Sequence, residues 1–137
     1  IRLSLVGSEM CIRDRLRDSV LVKTRNQKYL LGLDKRKLIP RSEHSSLNLL
    51  IQSCGALIIK MATIILHKKL EEKNYDKNIC SMVAHIHDEL QLQCKSDYAN
   101  EVGAIAVQSI KDAGTYFNLR CPLDAEFKIG KTWADTH

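Results

Sequence analysis

The stretch MVAHIHDELQLQC, at residues 82–94, constrains the fold more than any other part of this chain of 137 residues. In its second half Leu90, Leu92 and Cys94 alternate with glutamines, which is the period of a strand with one buried face. Apolar residues also lead into the polar middle of the stretch. The pattern predicts a β-hairpin over about residues 79–95, with polar residues at its turn.

The predicted turn contains an imidazole and two adjacent carboxylates, those of His87, Asp88 and Glu89. Anionic oxygens at a solvated turn are accessible to a hard cation, so the turn suits metal-assisted phosphoryl chemistry. Asp is also common at β-turns because its side chain bonds the local backbone, and such a turn could be solvated without any chemistry. The segment by itself leaves both interpretations open.

The rest of the sequence predicts helices and short strands around this hairpin. Across residues 47–65, apolar residues recur at spacings of three and four, which is typical of a helix with one buried face. The predicted elements are a helix at 16–26, short strands at 28–33 and 37–40, a long helix at about 42–74, a second helix at 98–117 and a last strand at 123–129. This order predicts an α+β fold, with helices on one face of an antiparallel sheet.

The composition allows one small domain with a buried core, because 45% of the residues are hydrophobic and 27% are charged. The formal net charge of +5 fits a partner that carries phosphates, although ordinary soluble proteins can carry a similar charge. The apolar run at residues 49–66 is interrupted by Gln52, Ser53 and Lys60, so no membrane span is expected.

The five cysteines show no metal-binding spacing. Two of them, Cys80 and Cys94, flank the predicted hairpin, and a disulfide across it is one option. Free thiols are the expected state, because disulfides are rare in a reducing cytosol.

Residues 5–15 read LVGSEMCIRDR, which resembles the translation of a sequencing adaptor in one reading frame. Processing scars of this kind are excluded from reasoning about the fold. We therefore expect residues 1–15 to be non-native, residues 16–137 to be the natural part, and the reading frame to be truncated at its 5′ end. A natural amphipathic lead-in is the alternative.

A polar stripe is predicted at the start of the long helix, where His44, Asn48 and Gln52 follow one another at intervals of four. Amide side chains both donate and accept hydrogen bonds, which suits the edges of bases in a duplex minor groove. Arg41 lies near the same end. A solvated helix face is the simpler explanation of such a stripe.

With both features in view, the chain resembles the C-terminal part of family A DNA polymerases, the bacterial polymerase I type, and in particular the replicative enzymes of short-tailed phages. The resemblance rests on stretches in the family's order, at residues 32–44, 47–56, 85–91 and 130–137. The first two resemble the strand pair and the long helix that lead from fingers to palm. The third resembles the catalytic hairpin motif, and the last resembles the family's terminal Trp-x-x-x-His.

The resemblance implies roles for individual residues. Asp88 would bind the catalytic Mg²⁺ pair, and Glu89 would assist there near the primer terminus. The implied contacts with DNA are those of Arg41, His44, Asn48, Gln52 and His87. The implied partners of the full-length enzyme are primer-template DNA and dNTPs. The implied location is the cytoplasm of a bacterial or phage-infected host cell. The resemblance does not identify a processivity factor.

The chain departs from the family pattern in lacking the second catalytic aspartate motif and the nucleotide-binding fingers helix. We therefore expect an incomplete palm and fingers, with a DNA polymerase ancestry and an isolated chain that is inactive. Duplex binding by the isolated chain is expected to be weak, because missing phosphate contacts supply most of the affinity.

Two other functions stay open from the residues. A metal-dependent hydrolase could use His85 and His87 on one strand face together with Asp88. A non-catalytic nucleic-acid-binding module is the other, although an aromatic content of 5% argues against single-strand binding by stacking.

Overall fold

The structure of the chain, a computed structural model, describes residues 2–87 and 89–136, with side chains described from residue 14 onwards. The helices are α1 (Arg2–Gln27), α2 (Ser46–Glu72), α3 (Ala99–Tyr116) and α4 (Trp133–Thr136), and the strands are β1 (Leu30–Leu31), β2 (Lys37–Leu38), β3 (Cys80–Ile86) and β4 (Glu89–Cys94). Short 3₁₀ turns at Glu43–Ser45 and Ser96–Tyr98 precede α2 and α3. The chain divides into two compact units between Cys54 and Gly55.

In the first unit, α1 packs against the small β1–β2 hairpin. Val20 and Thr24 lie one turn apart on α1 and are buried, as is Leu30 of β1. The hairpin is antiparallel, with Leu30 paired to Leu38. Both predicted short strands are therefore confirmed, although each is reduced to two paired residues.

The 3₁₀ turn that leads into α2 is capped by Ser42. The Ser42 hydroxyl accepts a hydrogen bond from the Ser45 N–H at 3.3 Å, and the Ser42 N–H donates to the Ser45 hydroxyl at 3.2 Å. This reciprocal pair satisfies amides that the first helical turn leaves without partners. The adjacent Glu43 forms an ion pair with Arg25, at 2.9 Å.

The end of α2 is set by Asn74, which adopts a left-handed conformation with φ 58. Tyr75 N–H then donates to the Leu70 carbonyl at 2.9 Å. A left-handed residue just after the last turn is a common helix stop, because it turns the chain while satisfying a terminal carbonyl. The predicted end near residue 74 is confirmed.

The second unit has a core where α3 and the end of α2 pack on one face of the β3–β4 hairpin. Leu66, Leu70, Cys80 and Val102 are buried at its centre. Half-buried side chains surround them, namely Tyr75, Ile79, Leu90, Leu92, Cys94, Tyr98, Ile105 and Ala106. The predicted hairpin and second helix are confirmed, and with them the α+β class.

The predicted last strand at 123–129 is wrong: this segment is irregular. A strand needs a neighbouring ladder, and both sheets in the described part of the chain contain only two strands. The segment packs along α3 instead, with Phe127 against Gly103 and Leu123 against Gly114. Both contacts are close: a Cβ added to Gly103 would overlap the Phe127 ring, and one added to Gly114 would lie 3.0 Å from Leu123.

The expectation about membrane spans also needs correction. By length and composition alone, the helical segment Glu43–Glu72 is apolar enough to cross a membrane, and only 11% of its most apolar window is buried. The interruptions at Gln52, Ser53 and Lys60 do not lower its apolar character enough to exclude it. Core helices of soluble proteins pass the same test, so the result does not assign α2 to a membrane.

Candidate functional site

The β3–β4 hairpin presents a polar turn, as the sequence predicted. Ile86 and Glu89 are cross-strand partners, so two residues connect the strands. His87 begins that connection in a left-handed conformation with φ 54, and its side chain is exposed. Asp88, the predicted metal ligand, lies outside the described residues. Two-residue hairpin connections favour positive φ, which explains the backbone of His87.

A bulge at Val83 decides which side chains share a face of this hairpin. Met82 pairs with Leu92 and Ala84 pairs with Gln91, so Val83 is an extra residue without a cross-strand partner. Bulges interrupt the strict alternation of faces along a strand.

After the bulge, His85 pairs with Leu90, on the face that Cys94 and Leu92 share. Ile86 pairs with Glu89, on the opposite face. Cross-strand partners lie on the same side of a sheet, so His85 and Glu89 lie on opposite sides of this hairpin. They are therefore not placed to bind one ion together.

The described residues do not complete a magnesium site. Mg²⁺ favours six oxygen ligands in a near-octahedral arrangement. Within residues 14–87 and 89–136, no group of three or more His, Cys, Asp or Glu side chains could hold a metal ion. Of the predicted ligands, Glu89 is described and Asp88 is not.

The same observation disfavours the metal-dependent hydrolase. That alternative needs His85 and His87 on one strand face, but β3 ends at Ile86 and His87 has turned out of the strand. The two-residue spacing therefore does not bring both imidazoles to one side, and no third described ligand lies with them.

The polar stripe of the first unit is exposed. Asn48 and Gln52 lie one turn apart in α2, and His44 lies in the 3₁₀ turn before it. The prediction that these side chains share one helical face is therefore confirmed for Asn48 and Gln52. It is wrong for His44, which lies before the α-helix begins. Arg41 is exposed just before the cap residue Ser42.

Sequence reasoning missed the polar contacts that join α3 to the end of α2. Glu101 accepts hydrogen bonds from Lys73 Nζ and from the Tyr75 hydroxyl, each at 2.6 Å. The hydrogen bond to Glu101 raises the pKa of Tyr75 to about 12. Lys69 forms a second ion pair, with Asp112. The partners are 26 to 43 residues apart, so no local spacing signals them.

Sequence comparisons with known proteins identify the family. The sequence model of DNA polymerase family A matches residues 11–135. The DNA-directed DNA polymerase of Enterobacteria phage T3 is 39% identical over 116 residues, and that of Escherichia phage T7 is 37% identical over 119 residues. In both cases the match covers 81% of this chain and 16% of the relative. DNA polymerase I of Aquifex aeolicus is 30% identical over 104 residues, which cover 76% of this chain and 17% of the relative.

A solved structure shares the fold. It is the POL domain of Pol1 from M. smegmatis in complex with DNA primer-template and dNTP, with a TM-score of 0.64 and 24% sequence identity. The match covers 74% of this chain and 19% of that chain. The functional assignment can therefore draw on a family match over residues 11–135 and on a hairpin whose connection begins with the exposed His87.

Proposed function

Because this chain belongs to DNA polymerase family A, we propose that it forms part of a DNA-directed DNA polymerase that performs template-directed nucleotidyl transfer. The family match over residues 11–135 carries this proposal. The chain spans 16% of the length of its phage relatives, so the activity belongs to a larger enzyme. The isolated chain is expected to be inactive.

The proposed catalytic residues are Asp88 and Glu89, as ligands of Mg²⁺. Family A DNA polymerases are metal-dependent. Carboxylate oxygens are suitable ligands for a hard cation, and Glu89 begins β4 close to the exposed His87, which supports the assignment. The described residues alone do not complete the site, so further oxygen ligands would have to come from water, substrate phosphates or other parts of the enzyme.

The proposed contacts with DNA come from both units. In the first unit they are those of the exposed residues Arg41, His44, Asn48 and Gln52. Amides that donate and accept match the acceptors that every base pair presents in the minor groove, and Arg suits phosphate oxygens. In the second unit, the exposed imidazole of His87 would contact the primer strand. The net positive charge of the chain favours all of these contacts.

The proposed partners are primer-template DNA and dNTPs, which the Pol1 structure from M. smegmatis contains. The relatives are phage and bacterial enzymes, which supports a location in the cytoplasm of a bacterium or a phage-infected cell. No residue of the chain identifies a processivity factor.

A chimera tests this function. Residues 16–135 would replace the matching segment of the phage T7 polymerase, and primer extension would be measured on a defined template. We expect template-directed extension that Asp88→Asn lowers by about 10³-fold or more, as for other essential catalytic groups. Asp97→Asn is the matched control, since Asp97 is an exposed aspartate in the 3₁₀ turn before α3.

The proposal fails if the folded chimera binds primer-template but extends it no faster than the Asp88→Asn variant. It also fails if extension ignores the template sequence. Circular dichroism and DNA binding of the chimera separate loss of chemistry from loss of folding.

A further inference from the structure

Cys80 and Cys94 are cross-strand partners at the open end of the β3–β4 hairpin. Two backbone hydrogen bonds show whether Cys80 and Cys94 form a hydrogen-bonded or a non-hydrogen-bonded antiparallel pair. Lys95 N–H donates to the Ile79 carbonyl at 3.0 Å, while Cys80 N–H donates to the Asp76 backbone carbonyl at 2.9 Å and so does not bond across the ladder. The Lys95–Ile79 bond lies just outside the two cysteines, which is the arrangement next to a non-hydrogen-bonded pair, so Cys80 and Cys94 form a pair of that kind.

That kind of pair has the geometry a disulfide needs. Non-hydrogen-bonded antiparallel partners have Cα atoms about 4.5 Å apart with their side chains close together. Disulfides join Cα atoms about 4.4–6.8 Å apart. Both cysteines are free thiols in this structure.

The two thiols differ in access. Cys80 is 6% exposed, within the cluster formed with Leu66, Leu70 and Val102, whereas Cys94 is half-buried at its margin. Burial raises the pKa of the Cys80 thiol, and the neighbouring Cys94 adds to that shift. The half-buried thiol is therefore the one that a reagent meets first, and the buried one is the natural resolving thiol.

We propose that Cys80 and Cys94 form a thiol–disulfide site that small-molecule disulfides, such as oxidised glutathione, convert to an intramolecular disulfide. The Cys94 thiolate attacks one glutathione sulfur and expels one glutathione thiolate, leaving a mixed disulfide. Cys80 loses its proton to solvent, attacks the Cys94 sulfur and expels the second glutathione. Two protein thiols are oxidised and one glutathione disulfide is reduced to two thiols.

The bond would close the base of the hairpin that carries His85, His87 and Glu89. A cross-link there limits how far the β3–β4 ladder can open locally. The polar turn would therefore be more rigid under oxidising conditions than under reducing ones. This inference concerns a modification and does not depend on the polymerase activity.

The test uses the full chain with the other cysteines removed, as Cys11→Ser/Cys54→Ser/Cys121→Ser. The chain would be equilibrated in glutathione buffers of fixed composition, and the cross-linked peptide quantified by mass spectrometry after acid quenching. The matched control adds Gln93→Cys/Cys94→Ser, which moves the second thiol to the other face of β4, opposite Ser81, at nearly the same loop length.

We expect the equilibrium constant for the Cys80–Cys94 disulfide to exceed that of the control by about tenfold or more, because only the native pair is held face to face. Equal constants would overturn the proposal, since they would mean that loop closure alone brings the thiols together. A native pair that stays reduced at glutathione ratios that oxidise the control would overturn it as well.

Discussion

Ile86 pairs with Glu89 at the end of the β3–β4 ladder, and the connection between them starts with His87 at φ 54. The ladder thus fixes where the polar turn begins. Positive φ is uncommon for residues with a Cβ, but His tolerates it better than most. The backbone at this position is set by the hairpin geometry rather than by burial, because the His87 side chain is exposed.

His87→Val is expected to lower the free energy of unfolding by about 1–2 kcal/mol, because a β-branched side chain is disfavoured in the left-handed region. His87→Asn should change it by less than about 0.5 kcal/mol, since Asn adopts that region readily. Urea denaturation of the full chain measures both. Equal losses in the two variants would assign the effect to the imidazole instead of the backbone.

Gly103→Ala is expected to destabilise the second unit by about 1–3 kcal/mol, because the new Cβ would overlap the Phe127 ring. Gly55→Ala is the matched control within a helix: nothing lies within 4 Å of its added Cβ, so it should stabilise by about 0.5–1 kcal/mol. Thermal unfolding of both variants tests the pair. Adding Phe127→Leu to Gly103→Ala should restore part of the loss, and no restoration would mean that the overlap is not its cause.

Tyr75 is expected to ionise with a pKa of about 12, because its hydroxyl donates to the Glu101 carboxylate. Its folded pKa lies above the ordinary value of 10.0, so its contribution to stability is complete below pH 10 and is lost as the pH rises through about 12. The phenolate absorbance measured against pH reports this. Glu101→Ala should return the pKa of Tyr75 towards 10, whereas Glu126→Ala, at an exposed glutamate, should leave it unchanged.

Asn48→Ala in the chimera with phage T7 polymerase is expected to lower primer-extension efficiency by about tenfold, the loss of one good hydrogen-bonding contact to a base pair. Asn100→Ala is the control, since Asn100 is an exposed asparagine in the first turn of α3. If the two variants lose activity equally, the stripe of His44, Asn48 and Gln52 is a solvated helix face, which is the simpler explanation of its sequence.

Long-read sequencing of the locus tests the assignment of residues 1–15. We expect the genome to lack the LVGSEMCIRDR codons before the codon for Leu16. Native codons for this segment would overturn the adaptor assignment. The family match begins at residue 11 and α1 at Arg2, and neither decides the matter.

The spacing of apolar residues predicted those helices and strands well whose formation depends on residues close together in the chain. The hairpin predicted at 79–95 is observed as Cys80–Ile86 paired with Glu89–Cys94. The predicted helix at 98–117 is observed at Ala99–Tyr116. Alternation and three-to-four spacing follow from the backbone repeat itself, so these elements can be read without any knowledge of the neighbours.

Long-range packing could not be predicted in the same way. The strand predicted at 123–129 fails because an extended segment becomes a strand only beside a ladder partner, and this one packs on α3 through Leu123 and Phe127. The bulge at Val83 changes which side of the hairpin His85 occupies. No residue type at or near Val83 predicts this bulge from the sequence.

The sequence by itself determined the polar composition of the hairpin turn and the helices and hairpins before residue 118, because each depends on residues close together in the chain. Several such stretches, in a fixed order along the chain, determined the family. Only the tertiary structure decided that His85 and Glu89 lie on opposite faces, that Glu101 joins Tyr75 to Lys73, and that Cys80 and Cys94 stand side by side. The physical reason is that register and packing depend on the free energy of the whole folded unit, which no short stretch of residues encodes.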